Sequence, residues 1–593
     1  MESTYIRDTP NSRIRSATTF GGINRANGTP LGEWDKLNGF DLTAYPALRT
    51  CPPYALNSLP TGITGYTFRN GSIVYTVSDG IYINGTKAEI SGLSSGEKQL
   101  VSLGAYILIL PDEVLVNLAT APVTVSFPTR HELTDGVLYE YNQNQTQPTV
   151  AIFKRLYVDV KKDSEELSYY SEGDQVRVSY TYGGKKKTLT AKIDSITEEE
   201  YTADGCVSIN LDTTKYSNTY RFYIEGGKWM TTSRIVSRIT GASISRLMPK
   251  MDFIVEYNNR LWGCSSENHE IYCSKLGSAI DWGTYDGIST DAWTATVGTD
   301  GDFTGACVFN GCILFFKEDC VHSVYGTKAS NFTITTYTVR GVQKGSSKSL
   351  CISEGLLYYK APEGIFSFNG SASSRADMKL SCDITQTACG TADDRYIVML
   401  MSDGAAYYYD KLHSVWYTRY LANAISAHNI GGKLYAVTKS EDGTMAQVLL
   451  TGADSMAFMD NETAFEAVTG ELCRGELMST SSYTRKAMHT VIKKLTMSLE
   501  EWHQKGVSAV NFALAVQYDG GDWQTVYSYD GTEEATDGNV VTLVPIIPMR
   551  CQRLRIKISG TLTASSRASV QPYLTLYGLF IDTEEASEIG GKH

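Results

Sequence analysis

The sequence predicts an all-β chain: a β-propeller of about seven blades, with a small β-barrel domain inserted in it and a β-sandwich at the C-terminus. Three observations predict this. Short period-two runs separated by Asn-Gly and Asp-Gly type turns recur at a spacing of roughly forty residues, the sequence mark of propeller blades. The 593 residues include 38 Tyr and 52 Gly, and these favour strands and tight turns respectively. No long stretch carries a helical period; TEEEY at residues 197–201 is too short to count.

Residues 251–316 show the pattern most clearly. Phe253, Val255 and Tyr257 alternate with polar or smaller neighbours, Asn258-Asn259 supplies a turn, and Arg260-Leu261-Trp262-Gly263-Cys264 follows. A polar loop then leads to Glu270-Ile271-Tyr272-Cys273-Ser274, and Asp281-Trp282 closes the unit. This reads as an antiparallel meander. The same cadence recurs over residues 301–336, 346–369, 391–417 and 423–450. Two earlier units lie between residues 61 and 142. One holds the hairpin signals Asn70-Gly71 and Asn84-Gly85, and the other has runs at 99–110 and 113–118 divided by Pro111-Asp112. Runs such as Ile313-Leu314-Phe315-Phe316 are apolar throughout, as expected of strands covered on both faces.

The remaining segments differ in texture. Residues 1–60 are expected to form an extended arm, because their Pro and Gly density disfavours regular structure; Arg13 and Arg15 lie in a polar setting within it. This arm either docks on a neighbouring subunit or wraps its own propeller. Over residues 143–250 charges thicken at Lys161-Lys162-Asp163, Lys185-Lys186-Lys187 and Glu198-Glu199-Glu200, and the region reads as an inserted small β domain. The Lys185–Lys187 cluster beside Gly183-Gly184 is expected at a solvated hairpin tip rather than on nucleic acid. The blades then resume over 251–455, and a β-sandwich with a fraying tail occupies 456–593. There Arg553, Arg555 and Lys557 alternate with Leu554 and Ile556, so one strand face is basic, and a plain solvated face is preferred over a grip on an acidic neighbour or DNA.

The wording of the blades carries a resemblance. NNRLWGC, EIYCSKLG, DWGTYDG, FFKEDCVHSVYG, RGVQKGSSKSL and LLYYKAPEGIFSFNG resemble a family of β-propeller virion proteins encoded by tailed phages and prophages. The resemblance runs from about residue 18 to residue 450 and weakens beyond. By architecture it extends to the nozzle, or packaged-DNA stabilisation, proteins of short-tailed phages. It implies a structural virion protein that forms a ring of six copies in the neck or tail, extends the DNA conduit, and retains and then releases packaged DNA. Its implied partners are its own copies, portal, adaptor or other tail proteins, and DNA passing without sequence-specific binding. The alternative is a receptor- or glycan-binding tail protein on the outside of the particle.

Composition narrows the function classes. The net charge of −12 argues against a dedicated DNA-binding module but suits a lumen in which DNA slides. The longest apolar runs, such as 105–110, are too short to span a bilayer, and MESTYIRDTPNSRIRS has no apolar signal region. No membrane insertion is expected, and synthesis is expected in the host bacterial cytoplasm, with the virion as destination. The 12 cysteines form no CxxC pair, so buried free thiols are expected rather than disulfides or zinc.

No catalytic, cofactor-binding or metal residue is expected, and the chain is read as a non-enzyme. Residues 341–349, GVQKGSSKS, lack the spacing of a phosphate loop and read as a blade connection. Glu318-Asp319 and Asp393-Asp394 are adjacent on the chain, so their side chains diverge and cannot flank one sugar. Ser289-Thr290-Asp291-Ala292-Trp293 departs from the Asp-box of sialidase propellers. The eight histidines (His131, His269, His322, His413, His428, His489, His503 and His593) show neither HxxxH nor HExxH spacing. Tyr407-Tyr408-Tyr409, Tyr358-Tyr359 and Trp416-Tyr417 are expected in the core rather than on a sugar-binding surface.

Overall fold

The computed structural model describes residues 12–25, 29–69, 71–90, 93–126, 132–143, 153–164, 166–167, 170, 172, 174–198, 204–211, 235–246, 248–283, 287–381, 383–451, 461–473, 490–531, 540–544, 549–564 and 571–585. Asn70, Cys382, Glu199-Glu200, His131, His489, His593 and the C-terminal tail from Ala586 lie outside the described residues. The chain is an all-β protein of the β-propeller class; among the described residues seven four-stranded antiparallel blades are present, the sixth continuous with a larger sheet and the seventh completed by a strand from near residue 55. It divides into two compact units.

One unit spans Thr64–Phe315 and His322–Thr336 and holds the first four blades and the inserted domain. The first blade is Gly65–Arg69, Ser72–Val77, Gly80–Ile83 and Thr86–Glu89. Its Asn84-Gly85 turn has φ of 50° and 77°, the pair of positive values that a two-residue hairpin requires. The third blade is Phe253–Tyr257, Arg260–Ser265, Glu270–Cys273 and Trp293–Thr296. In the fourth, Ile313, Leu314, Phe315 and Phe316 are all buried, as the unbroken apolar run requires. Trp262, Phe303, Phe315 and Phe332 build a shared core, with Trp262 and Phe332 edge-on at 4.8 Å.

The insertion is a closed six-stranded barrel, ordered Glu132–Gln143, Phe153–Lys161, Cys206–Leu211, Lys185–Thr197, Gln175–Tyr182, Ile235–Arg246. Val158, Val176, Val178, Ile193, Ile209 and Ile244 fill it. Its first and last strands pair with each other, Glu132 opposite Ser245 and Leu133 opposite Ile244. The domain therefore leaves and rejoins the propeller at neighbouring points. It begins at Glu132, earlier than the charge pattern suggests, because the opening strand reads like any blade strand and only its pairing reveals where it belongs.

The other unit spans Met1–Ile63, Phe316–Val321 and Tyr337–His593. It holds the fifth blade (Cys351–Ser353, Leu356–Ala361, Gly364–Phe368, Ser373–Arg375), the sixth (Ala388–Ala392, Tyr396–Met401, Ala405–Asp410, Val415–Tyr420) and the seventh. The seventh takes three strands from Ala424–Ile430, Lys433–Lys439 and Met445–Leu449; the fourth is Ala55–Ser58, whose Leu56 pairs opposite Val448.

The N-terminal segment is thus not an arm without regular structure. Ser12–Ala17 pairs along the last strand, Tyr573–Glu585. Trp34–Asn38 pairs with Asn461–Thr469 and meets the sixth blade at Asn38 opposite Thr418. Leu48–Thr50 also joins the last strand. The prolines and glycines punctuate strands of two to six residues rather than abolishing them. The pull comes from apolar side chains: Phe20, Ile23, Trp34, Leu37, Phe40 and Leu48 are each at most 2% exposed.

At the C-terminus two sheets share one buried core. One comprises Leu48–Thr50, Tyr573–Glu585, Thr490–Trp502 and Val540–Val544, with Ser12–Ala17 and two short strands joined to it. The second continues the sixth blade through Trp34–Asn38 into Asn461–Thr469, Arg553–Ala564, Ser508–Tyr518 and Gln524–Asp530. Leu495, Met497 and Leu499 from the first meet the same cluster as Leu514, Val516 and Ile558 from the second.

Candidate functional site

The residues that chemistry would single out in the sequence are occupied with structure. In the loop over 341–349, Ser346 accepts the Ala388 amide at 3.0 Å and Ser349 accepts the Lys360 amide at 2.9 Å. The buried Lys360 ammonium donates to Gln343 of that loop at 2.7 Å and to the Ala361 carbonyl, and burial lowers its pKa to about 8. Glu318 accepts the Lys344 amide, and Asp393 accepts the amides of Arg395 and Tyr396 in a local turn. Asp291 accepts the amides of Gly287 and Ile288. Lys185, Lys186 and Lys187 are exposed at a hairpin whose tip, Gly183-Gly184, has φ of 61° and 74°.

The aromatic runs alternate: Tyr359, Tyr408, Trp416 and Tyr417 are at most 4% exposed, while Tyr358, Tyr407 and Tyr409 are half-buried and pack against the core. Ten cysteines with described side chains are free thiols, and seven of these are buried. Among the described residues no group of three or more His, Cys, Asp or Glu is placed to hold a metal ion. No helix among them is long and apolar enough to cross a membrane.

The basic strand face at Arg553–Lys557 is matched by the chain itself. Arg555 donates to Asp35 at 2.6 Å and Arg553 to Glu471 at 3.2 Å, while the Lys557 ammonium lies 4.7 Å from the centre of the Trp523 ring. The acidic partner of this face is intramolecular, and Asp35 comes from the N-terminal segment.

Two clusters emerge that the sequence alone conceals. The first is buried where residues 41–54 cross the sixth and seventh blades. The Arg419 guanidinium lies 3.7 Å from the centre of the Tyr54 ring and donates to the Pro52 carbonyl at 2.6 Å. The hydroxyls of Tyr54 and Tyr408 are 3.1 Å apart. Asp41 accepts the amide and hydroxyl of Thr43, yet burial outweighs these bonds and raises its pKa. Elsewhere in the same unit, Glu501 accepts from the Tyr529 hydroxyl at 2.6 Å and lies 2.9 Å from His503 Nδ1. Glu501 and His503 are 2% and 0% exposed, so these two groups are buried, and Tyr529 reaches Glu501 from a half-buried position.

The second cluster is on the face of the last strand's sheet opposite the shared core, where Tyr577 is exposed, Trp502, Tyr573, Phe580 and Glu500 are half-buried and Thr575 is buried. Leu574 and Leu576 point into the core; Tyr573, Thr575 and Tyr577 alternate to the other face. Trp502 is opposite Tyr573, their rings 6.4 Å apart and 15° from parallel. Arg49 lies 4.2 Å from the centre of the Tyr573 ring and donates to Thr575 at 3.0 Å. Glu500 accepts from both phenols, that of Tyr573 at 2.9 Å and that of Tyr577. The carboxylate pushes the Tyr577 phenol up to about 12, so it remains a donor at neutral pH. The Phe580 ring lies over Gly578, where a Cβ would come within 2.7 Å of it. The alternation Tyr-x-Thr-x-Tyr was visible in the sequence; its pairing with Glu500 and Trp502, some seventy residues earlier in the chain, was not.

The chain matches no family model and no curated protein. Among solved structures it is similar to Saccharomyces cerevisiae Sqt1, at 10% identity over 68% of this chain and 100% of that one, with a TM-score of 0.33. The AfRom2 CNH domain is 9% identical over 60% of this chain and 100% of its own, at 0.25. Kluyvelomyces marxianus Hsv2 is 10% identical over 61% and 97%, at 0.23. Similarity this low carries no argument about function; the propeller class follows from the four-stranded blades themselves.

Proposed function

We propose that this chain is a structural protein of a tailed-phage virion, acting without catalysis. In this reading copies of it form a ring in the neck or tail, in contact with portal, adaptor or other tail proteins. The ring extends the DNA conduit, holds packaged DNA and releases it on ejection. The blade wording from residue 251 to residue 369 supports the family. The observation that carries the structural role is the interlacing of the chain. Residues Ser12–Ala17 are stitched along the last strand, and Ala55–Ser58 completes the seventh blade. Strand pairing near both ends suits a part under mechanical load, because opening it breaks many backbone hydrogen bonds at once. The net charge of −12 suits a wall past which DNA slides.

Cryo-electron microscopy of particles from the source tests this. The expected result is a ring of this chain on the neck or tail axis enclosing DNA or an open channel. Its absence from purified virions refutes the reading, and copies hung outside the tube move the function to host recognition.

A further inference from the structure

We propose that the outer face of the C-terminal sheet, at Trp502, Tyr573, Tyr577, Glu500 and Phe580, binds a short neutral oligosaccharide. This concerns that face alone and stands whether or not the chain forms a conduit.

A solvent-facing sheet surface normally carries polar side chains. Here four aromatic rings share two adjacent strands; Tyr577 is 42% exposed, and Trp502, Tyr573 and Phe580 are half-buried, each with part of its surface open to solvent. Their positions are set before any ligand arrives. Tyr573 is held by Arg49 and by its hydrogen bond to Glu500, Tyr577 by the same carboxylate, and Phe580 by the bare backbone of Gly578. Such preorganisation lowers the ordering cost of binding. Tyr573 and Tyr577 are four residues apart, about 13 Å along a strand, which suits an extended ligand of several rings.

The polar groups specify the class. Sugars present apolar C–H faces, which rest on aromatic rings, and hydroxyls, which bond to carboxylates and phenols. Each Glu500 oxygen already accepts one phenol and keeps a lone pair for a ligand hydroxyl. Among the described residues of this face, the cations Arg49 and Lys494 are equalled in number by the anions Glu500 and Asp582, which leaves no surplus of positive charge to hold a phosphate backbone. The same balance disfavours an acidic sugar.

The test uses the full-length protein on an immobilised panel of neutral hexose and N-acetylhexosamine oligosaccharides. Affinity for any positive is then measured by calorimetry. Trp502→Ala and Tyr577→Ala are each expected to weaken binding at least tenfold, and Tyr577→Phe severalfold. Tyr45→Ala, which alters an aromatic 49% exposed elsewhere, is expected to leave binding unchanged. Melting temperatures verify that the variants fold; if Trp502→Ala does not, the exposed Tyr577 variants decide. The proposal is overturned if the panel is not bound, if the Tyr577 variants bind like the parent, or if Tyr45→Ala weakens binding equally.

Discussion

Replacing Arg419 with Met should release the fourth strand of the seventh blade. Arg419 lies on a sixth-blade strand, and its guanidinium holds the chain just before Ala55–Ser58, through the Pro52 carbonyl at 2.6 Å and the Tyr54 ring at 3.7 Å. A charged hydrogen bond contributes about 1.5–3 kcal/mol, and a desolvated cation–π contact about 2 kcal/mol. Met refills part of the volume, so the expected loss is about 4 kcal/mol. Because the chain comprises two units, one melting transition would not report this site. Hydrogen exchange read on peptides covering Ala55–Ser58 does, since it reports local opening. At about 1.4 kcal/mol per tenfold, Arg419→Met should speed exchange there close to a thousandfold. Tyr54→Leu alone should speed it less, and the double variant should fall short of the sum by about 2 kcal/mol. Unchanged protection in Arg419→Met, or additive single effects, would refute this account of how the seventh blade is closed.

Three other perturbations have defined outcomes. Gly22→Ala places a Cβ 2.3 Å from the Trp416 carbonyl and 2.8 Å from its amide nitrogen; backbone cannot yield cheaply, so a loss of about 3 kcal/mol or more is expected in the thermal transition of that unit. Burial, with Lys348 second, lowers the His428 pKa from 6.5 to about 4. As pH falls, the unfolded chain therefore takes up this proton first, and stability present above pH 6.5 is lost between 6.5 and about 4. His428→Gln should remove up to about 3 kcal/mol of that pH dependence, measured by urea denaturation across the range. In the second blade Lys98 pairs with Asp112 at 2.7 Å, their side chains 1% and 10% exposed. Lys98→Met should cost about 3–5 kcal/mol, and adding Asp112→Leu should restore most of it, because an unpaired buried charge costs more than none.

The two clusters show where sequence reasoning stops. Tyr573, Tyr577 and Thr575 announce a face by their spacing, because side chains alternate along a strand. Nothing in that spacing names Glu500 and Trp502 as neighbours, since pairing between distant strands depends on which edges are free when the domain assembles. Arg419 is likewise an ordinary member of a strand until residues 51–54 are laid across it. The basic face of Arg553–Lys557 was legible as a face, but Asp35, which neutralises Arg555, is more than five hundred residues away in the chain.

By itself the sequence determined the all-β class, the blade rhythm, a count of about seven blades and the hairpin turns. These follow from local rules: period-two alternation, the tolerance of Asn and Gly for positive φ, and the cost of leaving apolar surface in water. Only the tertiary structure decided where Ala55–Ser58 pairs, that the first sixty residues are sheet rather than arm, and that the barrel opens at Glu132. Those are choices among strands of nearly equal propensity. Long-range pairing and shared burial make them, and neither leaves a mark within any one segment.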